Sequence, residues 1–411
     1  MQSTIPHTLS THLRIFLWIQ LFVSTASSLS GLFVNVFLWK VNQDLLTIAY
    51  FNMTLSASIM LMMFPAGWIG RRLHSVWCLR MAMGMFAFFY FLIAYWQERA
   101  GDHFILLGIL HGSAIAFFAL ATHVISYDHS QSGNRSRYFG WYSFVSTMGN
   151  MAPPLLSGWI ITRFDTIAGY RTIFLISLVL FAAACLLSVF LPGRGQKTKG
   201  SLLSVMKNGG DDWRNVQLAN GVYGLHDGVM WFLLQLVAFW ILKDEFQMGI
   251  YTTAASLLSL FAAVYVGKRV QPHNRIRYFL AGAIGVGLGH LILAFHFNVA
   301  GFTLYTLWVT VFANFYSIPY NSITFEVISR DPQAQERRVD YIVSREIPIG
   351  LGRLLSVAAF VALHDHFQNQ TAVQVTIGVL GLLYLICWRL MARIRLETEP
   401  VTHAKTDSVD M

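Results

Sequence analysis

The stretch IGRRLHSVWCLR, Ile69–Arg80, places a basic hinge between two long apolar runs, and the chain writes it again as VGKRVQPHNRIR at Val266–Arg277. Gly70, Arg71, Arg72 and Arg80 align without a gap on Gly267, Lys268, Arg269 and Arg277. A second pair follows the same logic. VISYD at Val124–Asp128 returns as VISRD at Val327–Asp331, trailed at matched spacing by Tyr138 and Tyr341 and by Gly149 and Gly352. Motifs that recur in the same order mark an internal duplication in which both copies run in the same direction.

Working outward from the hinges, the flanking runs say what surrounds them. The chain is 55% hydrophobic, 15% aromatic and only 12% charged, whereas soluble domains carry about 25% charged residues. Apolar runs long enough for the roughly 20 helical residues that cross a bilayer recur twelve times, from 14–38 to 371–392. They are continuous and do not alternate in ~10-residue segments, which excludes a transmembrane barrel. The fold class expected is therefore all-α integral membrane, with twelve transmembrane helices as two six-helix bundles in a parallel, pseudo-twofold repeat. Residues 1–191 form the first bundle, 192–213 a linker, 214–393 the second bundle and 394–411 a polar tail. The linker is rich in Gly and Lys and poor in apolar runs, the composition of a loop. The first apolar run is too long for the core of a cleaved signal and reads as a retained span.

Most of the 29 Lys and Arg residues fall on the side of the hinges and linker; Lys40, Arg99, Arg163, Arg171 and Lys243 fall on the other. Basic loops stay cytoplasmic, so both termini are expected there. The net charge of +9 then reports topology, and nucleic acid is excluded as a partner. Cys78, Cys185 and Cys387 show no metal or disulfide spacing and read as small packing residues. No cofactor is implied: there is no phosphate-binding glycine loop with its lysine, and no nucleophile–base or metal constellation marks an enzyme.

Six plus six spans with basic loops after the second and eighth resemble the major facilitator superfamily over nearly the whole chain. GNMAPPLLSG, Gly149–Gly158, is similar to the superfamily's fifth-span pattern Gly-x-x-x-Gly-Pro-x-x-Gly-Gly. Gly149, Pro154 and Gly158 are in register, and Pro153 and Ser157 replace two glycines. The resemblance implies a proton-driven exporter. Physically, adjacent prolines kink the helix and small residues let a neighbour approach. The hinge departs from the superfamily's Gly-x-x-x-Asp-Arg-x-Gly-Arg-Arg, because Arg71 stands in the place of the Asp and Lys268 repeats the exchange. In the fourth span His111 takes a Gln position whose preceding Arg is missing. YIVSREIPIGLGRLLS, Tyr341–Ser356, looks like the eleventh span of a bacterial branch, so the expected location is a bacterial plasma membrane.

Charges deep in a span are costly and point to function. His226 and Asp227 lie about ten residues into the seventh run, and Arg353 about twelve into the eleventh, each ~15–18 Å deep at ~1.5 Å per residue. Arg353 is the candidate anchor for an anionic or strongly polar group, because guanidinium offers a fixed fork of donors. Asp227, with His226, is the candidate titrating group. Burial disfavours a carboxylate and a nearby guanidinium favours it, so proton and solute would compete. The alternative for this pair is a static tie between two helices. His111, Asn35, Gln235 and Asn314 are further candidates for the cavity, each otherwise a packing or interhelical bond. Arg345 and Glu346, near the cytoplasmic end of the eleventh span, are expected to close an inner gate with Arg337, Arg338 or Glu326, the alternative being charges that snorkel to the interface. Arg71, Arg72, Lys268 and Arg269 join them as gating residues.

The function expected is secondary transport of a small organic solute by alternating access, as an exporter or proton antiporter, by a monomer with protons and the lipid bilayer as further partners. A flippase for an amphiphile and a non-transporting receptor are the alternatives.

Overall fold

Long runs of Leu, Phe, Ile, Ala and Met become helices because in lipid each backbone polar group must find its partner within the segment. The computed structural model describes residues 11–129, 135–164, 166–193, 202, 205–206, 210–363 and 370–394. Twelve spans cross it. The first six are Thr11–Asn42, Leu45–Arg72, Ser75–Trp96, Phe104–His129, a fifth in two pieces (Arg135–Met151 and Pro153–Arg163) and Thr166–Ser188. The second six are Gly210–Leu242, Glu245–Arg269, Arg275–Phe295, Val299–Ser329, Ala334–Ala362 and Gln370–Met391. No strand occurs among the described residues. Most of the linker and the tail after Ile394 lie outside them, as do the side chains of Asp128, Arg135, Arg137 and Tyr138.

By length and hydropathy alone, nine described stretches could cross a membrane, and one of these, Ser75–Ser126, holds two spans folded back through the short 3-10 turn Gln97–His103. The fifth and eleventh spans escape that criterion for different reasons. The fifth is cut into pieces of 17 and 11 residues. The eleventh carries Arg337, Arg338, Asp340, Arg345, Glu346 and Arg353 along its length.

Duplication extends to the packing. The first span packs on the fifth and sixth, the second on the fourth, and the third on the fourth and sixth; the seventh, eighth and ninth repeat these pairings six spans later. Gly149 sets the fifth span against Ser24 and the Leu21 carbonyl of the first, and its repeat mate Gly352 sets the eleventh against Gly221 and Leu225 of the seventh. Glycine is required at such crossings because a Cβ would collide with the facing backbone. The turns repeat too. Gln43 (φ 50) and Lys243 (φ 55) each adopt the left-handed conformation before an aspartate, Asp44 or Asp244, that caps the following helix.

The two bundles meet along two seams, second span on eleventh and fifth on eighth. At the second of these, Gly158 faces the Glu245 carbonyl and Gly249 faces the Pro154 carbonyl, so the backbones nearly touch. Pro153 and Pro154 cannot donate to the carbonyls four residues back, and where the two pieces of the fifth span part side chains of neighbouring spans answer two carbonyls. Ser28 Oγ donates to Asn150 O at 3.2 Å, and Thr253 Oγ1 to Met151 O at 2.9 Å.

Candidate substrate and coupling site

The polar residues between the bundles form a column. Asn52 Nδ2 of the second span donates to Asn35 Oδ1 of the first at 2.8 Å, and Asn35 Nδ2 donates to Gln235 Oε1 of the seventh at 2.9 Å. This amide chain ties one half to the other inside an apolar wall, where an unpaired amide would be expensive. On the face away from the basic hinges the halves close further. Trp39 meets Trp240 edge to face at 5.4 Å. Lys40 pairs with Glu245, whose Oε1 also accepts from the Tyr170 hydroxyl at 2.9 Å. On the hinge face, Arg71 Nη1 of the second span lies 2.7 Å from Asp340 Oδ1 of the eleventh. These two ion pairs, at opposite ends of the helices, are the ones that join the halves among the described residues.

Asp227 and Arg353 sit between those ends. Arg353 directs both Nε and Nη2 to Asp227 Oδ2 at 2.7 Å, and both side chains are less than one sixth exposed. Tyr223 Oη donates to the other carboxylate oxygen at 3.4 Å, and the guanidinium lies 5.6 Å from the centroid of Trp231. The pair can form because Gly228 of the seventh span packs on the Arg353 backbone. Across the seam, Asn52, Leu55, Ser56 and Ile59 of the second span join Gly228, Trp231 and Arg353 around a gap of about 10 Å³. That is room for a single water and no solute group. In this state the fork of Arg353 is committed to Asp227.

A larger space of about 430 Å³ opens where the seventh span stands off from the eighth and tenth, and Gln235 is in its wall.

The profile of the Major Facilitator Superfamily matches residues 16–335. The chain belongs to the Major Facilitator Superfamily. Among curated proteins it is similar to the uncharacterized protein YqgE of Bacillus subtilis (strain 168), at 26% identity over 91% of this chain and 87% of the other. Among solved structures it resembles the nucleoside transporter NupG (TM-score 0.72, 13% identity, 93% and 100% covered). It also resembles the Escherichia coli fucose:proton symporter FucP (TM-score 0.63, 13% identity, 93% and 98% covered). At that identity the likeness concerns the fold: a multi-pass membrane transporter architecture of two six-helix halves.

Within this superfamily member the residues singled out from sequence separate into groups. Asp227, Arg353, Asn35 and Gln235 come together at the seam, the two amides as links of the column. Asn314 is apart, donating to Ser259 Oγ of the eighth span at 3.0 Å. His226 turns away from Asp227 into the second bundle. Its Nε2 lies 3.2 Å from His290 Nε2, and its Nδ1 lies 3.4 Å from Tyr384 Oη. The tautomers follow, because His290 Nδ1 must donate to Val286 O at 2.8 Å. His290 Nε2 therefore accepts from His226, which in turn accepts from Tyr384. His111 also leaves the gap and stacks on Phe89 at 4.3 Å inside the first bundle.

The residues expected at the inner gate have other partners in this arrangement. Glu326 is taken by Arg275 and Arg330, and Arg337 by Asp331; Arg345 reaches Asn321 Oδ1 at 3.3 Å. Glu346 has no ion pair among the described residues. Of the four hinge bases, only Arg71 pairs with the other half among the described residues. Arg72 lies over Trp68 and Arg269 over Tyr265, while Lys268 is exposed. Where the superfamily pattern has an acidic hinge residue this chain has Arg71, and the ion pair it makes has the cation on the second span and the carboxylate on the eleventh. Gly149, Pro153, Pro154 and Gly158 do break and seat the fifth span. Asp340, Lys40, Glu245 and Tyr170 are not among the residues singled out from sequence; the apolar run of the eleventh span starts at Tyr341, one residue beyond Asp340, whereas its helix starts at Ala334.

Proposed function

We propose that the chain is a proton-coupled secondary transporter that exports a small organic solute by alternating access, with Asp227 and Arg353 as its coupling pair. The observation that carries this reading is their 2.7 Å contact at the meeting of the seventh, eleventh and second spans. A proton on Asp227 removes the charge that holds the guanidinium. Arg353 must then find another partner across the seam, and the balance between the two arrangements of the halves shifts. The bundles 1–191 and 214–393 rock as units about the two seams, tethered by 192–213. The Lys40–Glu245 pair closes one face and the Arg71–Asp340 pair the other. Export is supported by the fifth-span pattern, and placing the hinges and both termini in the cytoplasm by the positive-inside rule.

The test needs no substrate. Spin labels at Asp102→Cys and His296→Cys, both exposed and on opposite halves, are placed in a background with Cys78, Cys185 and Cys387 replaced by Ser. Their distance distribution should change with pH in the parent. In Asp227→Asn it should stay at the low-pH form throughout. A pH response that survives unchanged in Asp227→Asn removes the coupling role.

A further inference from the structure

The 430 Å³ cavity falls within the ~300–1,000 Å³ of small-molecule sites, and its chemistry is one-sided. All its lining residues except Leu32 belong to the second bundle, and none is Asp, Glu, Lys, Arg or His. Its polar groups are also partly spoken for. Thr252 Oγ1 donates to Met248 O and Ser256 Oγ to Thr252 O, each at 2.9 Å, so these hydroxyls keep only lone pairs for an occupant. Gln235 Oε1 is occupied by Asn35, which leaves its Nε2 amide as a donor. A charged solute entering here would lose its hydration and meet no countercharge. A neutral one would lose little and gain from the apolar walls.

We infer that this cavity is the solute site and that it takes an uncharged, mostly apolar molecule bearing a carbonyl-type oxygen for the Gln235 amide. The inference rests on the transporter reading and adds the substrate class. It also gives the solute a mechanical role, because Gln235 both lines the cavity and forms the link to Asn35 of the other half.

The experiment compares three probes with the same rings, measured by the unfolding temperature of the purified full chain: 2-acetylnaphthalene, 2-naphthoate and 2-naphthylmethylammonium. The neutral ketone should raise it by about 1.5 °C at tenfold its Kd, and the two ions should leave it unmoved. Ala255→Trp, which fills the cavity, should abolish the shift; Ala313→Leu, on another wall, does the same if the tryptophan variant does not fold. An equal or larger shift from either ion overturns the assignment. So does a ketone shift that persists in the filled variant, or no ketone shift at all. These outcomes bear on substrate class alone, because ligand binding here is measured without a proton gradient. The transporter reading stands or falls on the pH response of the spin labels.

Discussion

Arg71 Nη1 lies 2.7 Å from Asp340 Oδ1 although 269 residues separate them, and the Asp340 side chain is wholly buried. Asp340 Oδ2 has no hydrogen-bond partner among the described residues, so the carboxylate depends on this guanidinium. Arg71→Ala should destabilise the protein by about 3 kcal/mol, the low end for stranding a buried charge, because Arg71 itself is a quarter exposed. The double variant Arg71→Ala/Asp340→Ala should lose clearly less than the sum of the single losses in equilibrium unfolding. Strict additivity would mean the contact carries no energy.

Asp227 and Arg353 make a stronger case of the same physics. Either Asp227→Ala or Arg353→Ala alone should cost about 3–5 kcal/mol. Replacing both with residues of similar volume, Asp227→Leu with Arg353→Met, should restore most of the stability while abolishing the pH response of the labels. Recovery of stability together with a retained pH response would make the pair a tie and no more.

Glu245 accepts from both Lys40 and Tyr170. Glu245→Gln weakens both contacts and should lengthen the mean distance between labels at positions 102 and 296. An unchanged distribution would show that Trp39 and Trp240 close that face unaided.

His226 faces away from the seam. His226→Gln should therefore leave the pH response of the halves as it is in the parent. His226→Ala should cost about 1–3 kcal/mol by depriving His290 and Tyr384 of a buried partner, measurable as a lower unfolding temperature. A flattened pH response in His226→Gln would return this residue to the coupling site.

Asp331 lies in the turn between the tenth and eleventh spans and gives a pH test outside the membrane. Burial works against its charge, but the Gln333 amide, the Tyr341 hydroxyl at 3.0 Å and Arg337 outweigh it and hold its pKa below the usual 3.8. A carboxylate depressed on folding contributes stability above its unfolded pKa and loses it as pH falls through the folded value. The stability gap between the parent and Asp331→Asn should thus be constant above about pH 5 and shrink below about pH 4. A gap that stays constant through that acid range would exclude the linkage.

The repeat first seen in the sequence has a physical use that explains part of this. Asp331 and Tyr341, found as motif mates of Asp128 and Tyr138, prove to be bonded to one another across the turn. Gly352, the mate of Gly149, proves to be a crossing point. What the register also contains is an asymmetry. Position 340 corresponds to Arg137 in the first half and Arg71 to Lys268 in the second, so at these matched positions the second and eleventh spans bring opposite charges and the fifth and eighth bring two cations.

Twelve helices, their duplication and the break in the fifth were determined by the sequence alone, because those properties are local. Hydropathy decides which runs enter lipid, lipid forces each backbone to satisfy itself, and adjacent prolines remove donors wherever they stand. Which way each helix turns its side chains was decided only in the tertiary structure. Consecutive residues on a helix point about 100° apart, so once Gly228 and Gly352 press the seventh and eleventh spans together, Asp227 meets Arg353 and His226 must face the ninth and twelfth. The pairing of Arg71 with Asp340 and of Lys40 with Glu245 depends in the same way on how two bundles dock. Docking is set by small residues at a few crossings and leaves no trace in hydropathy.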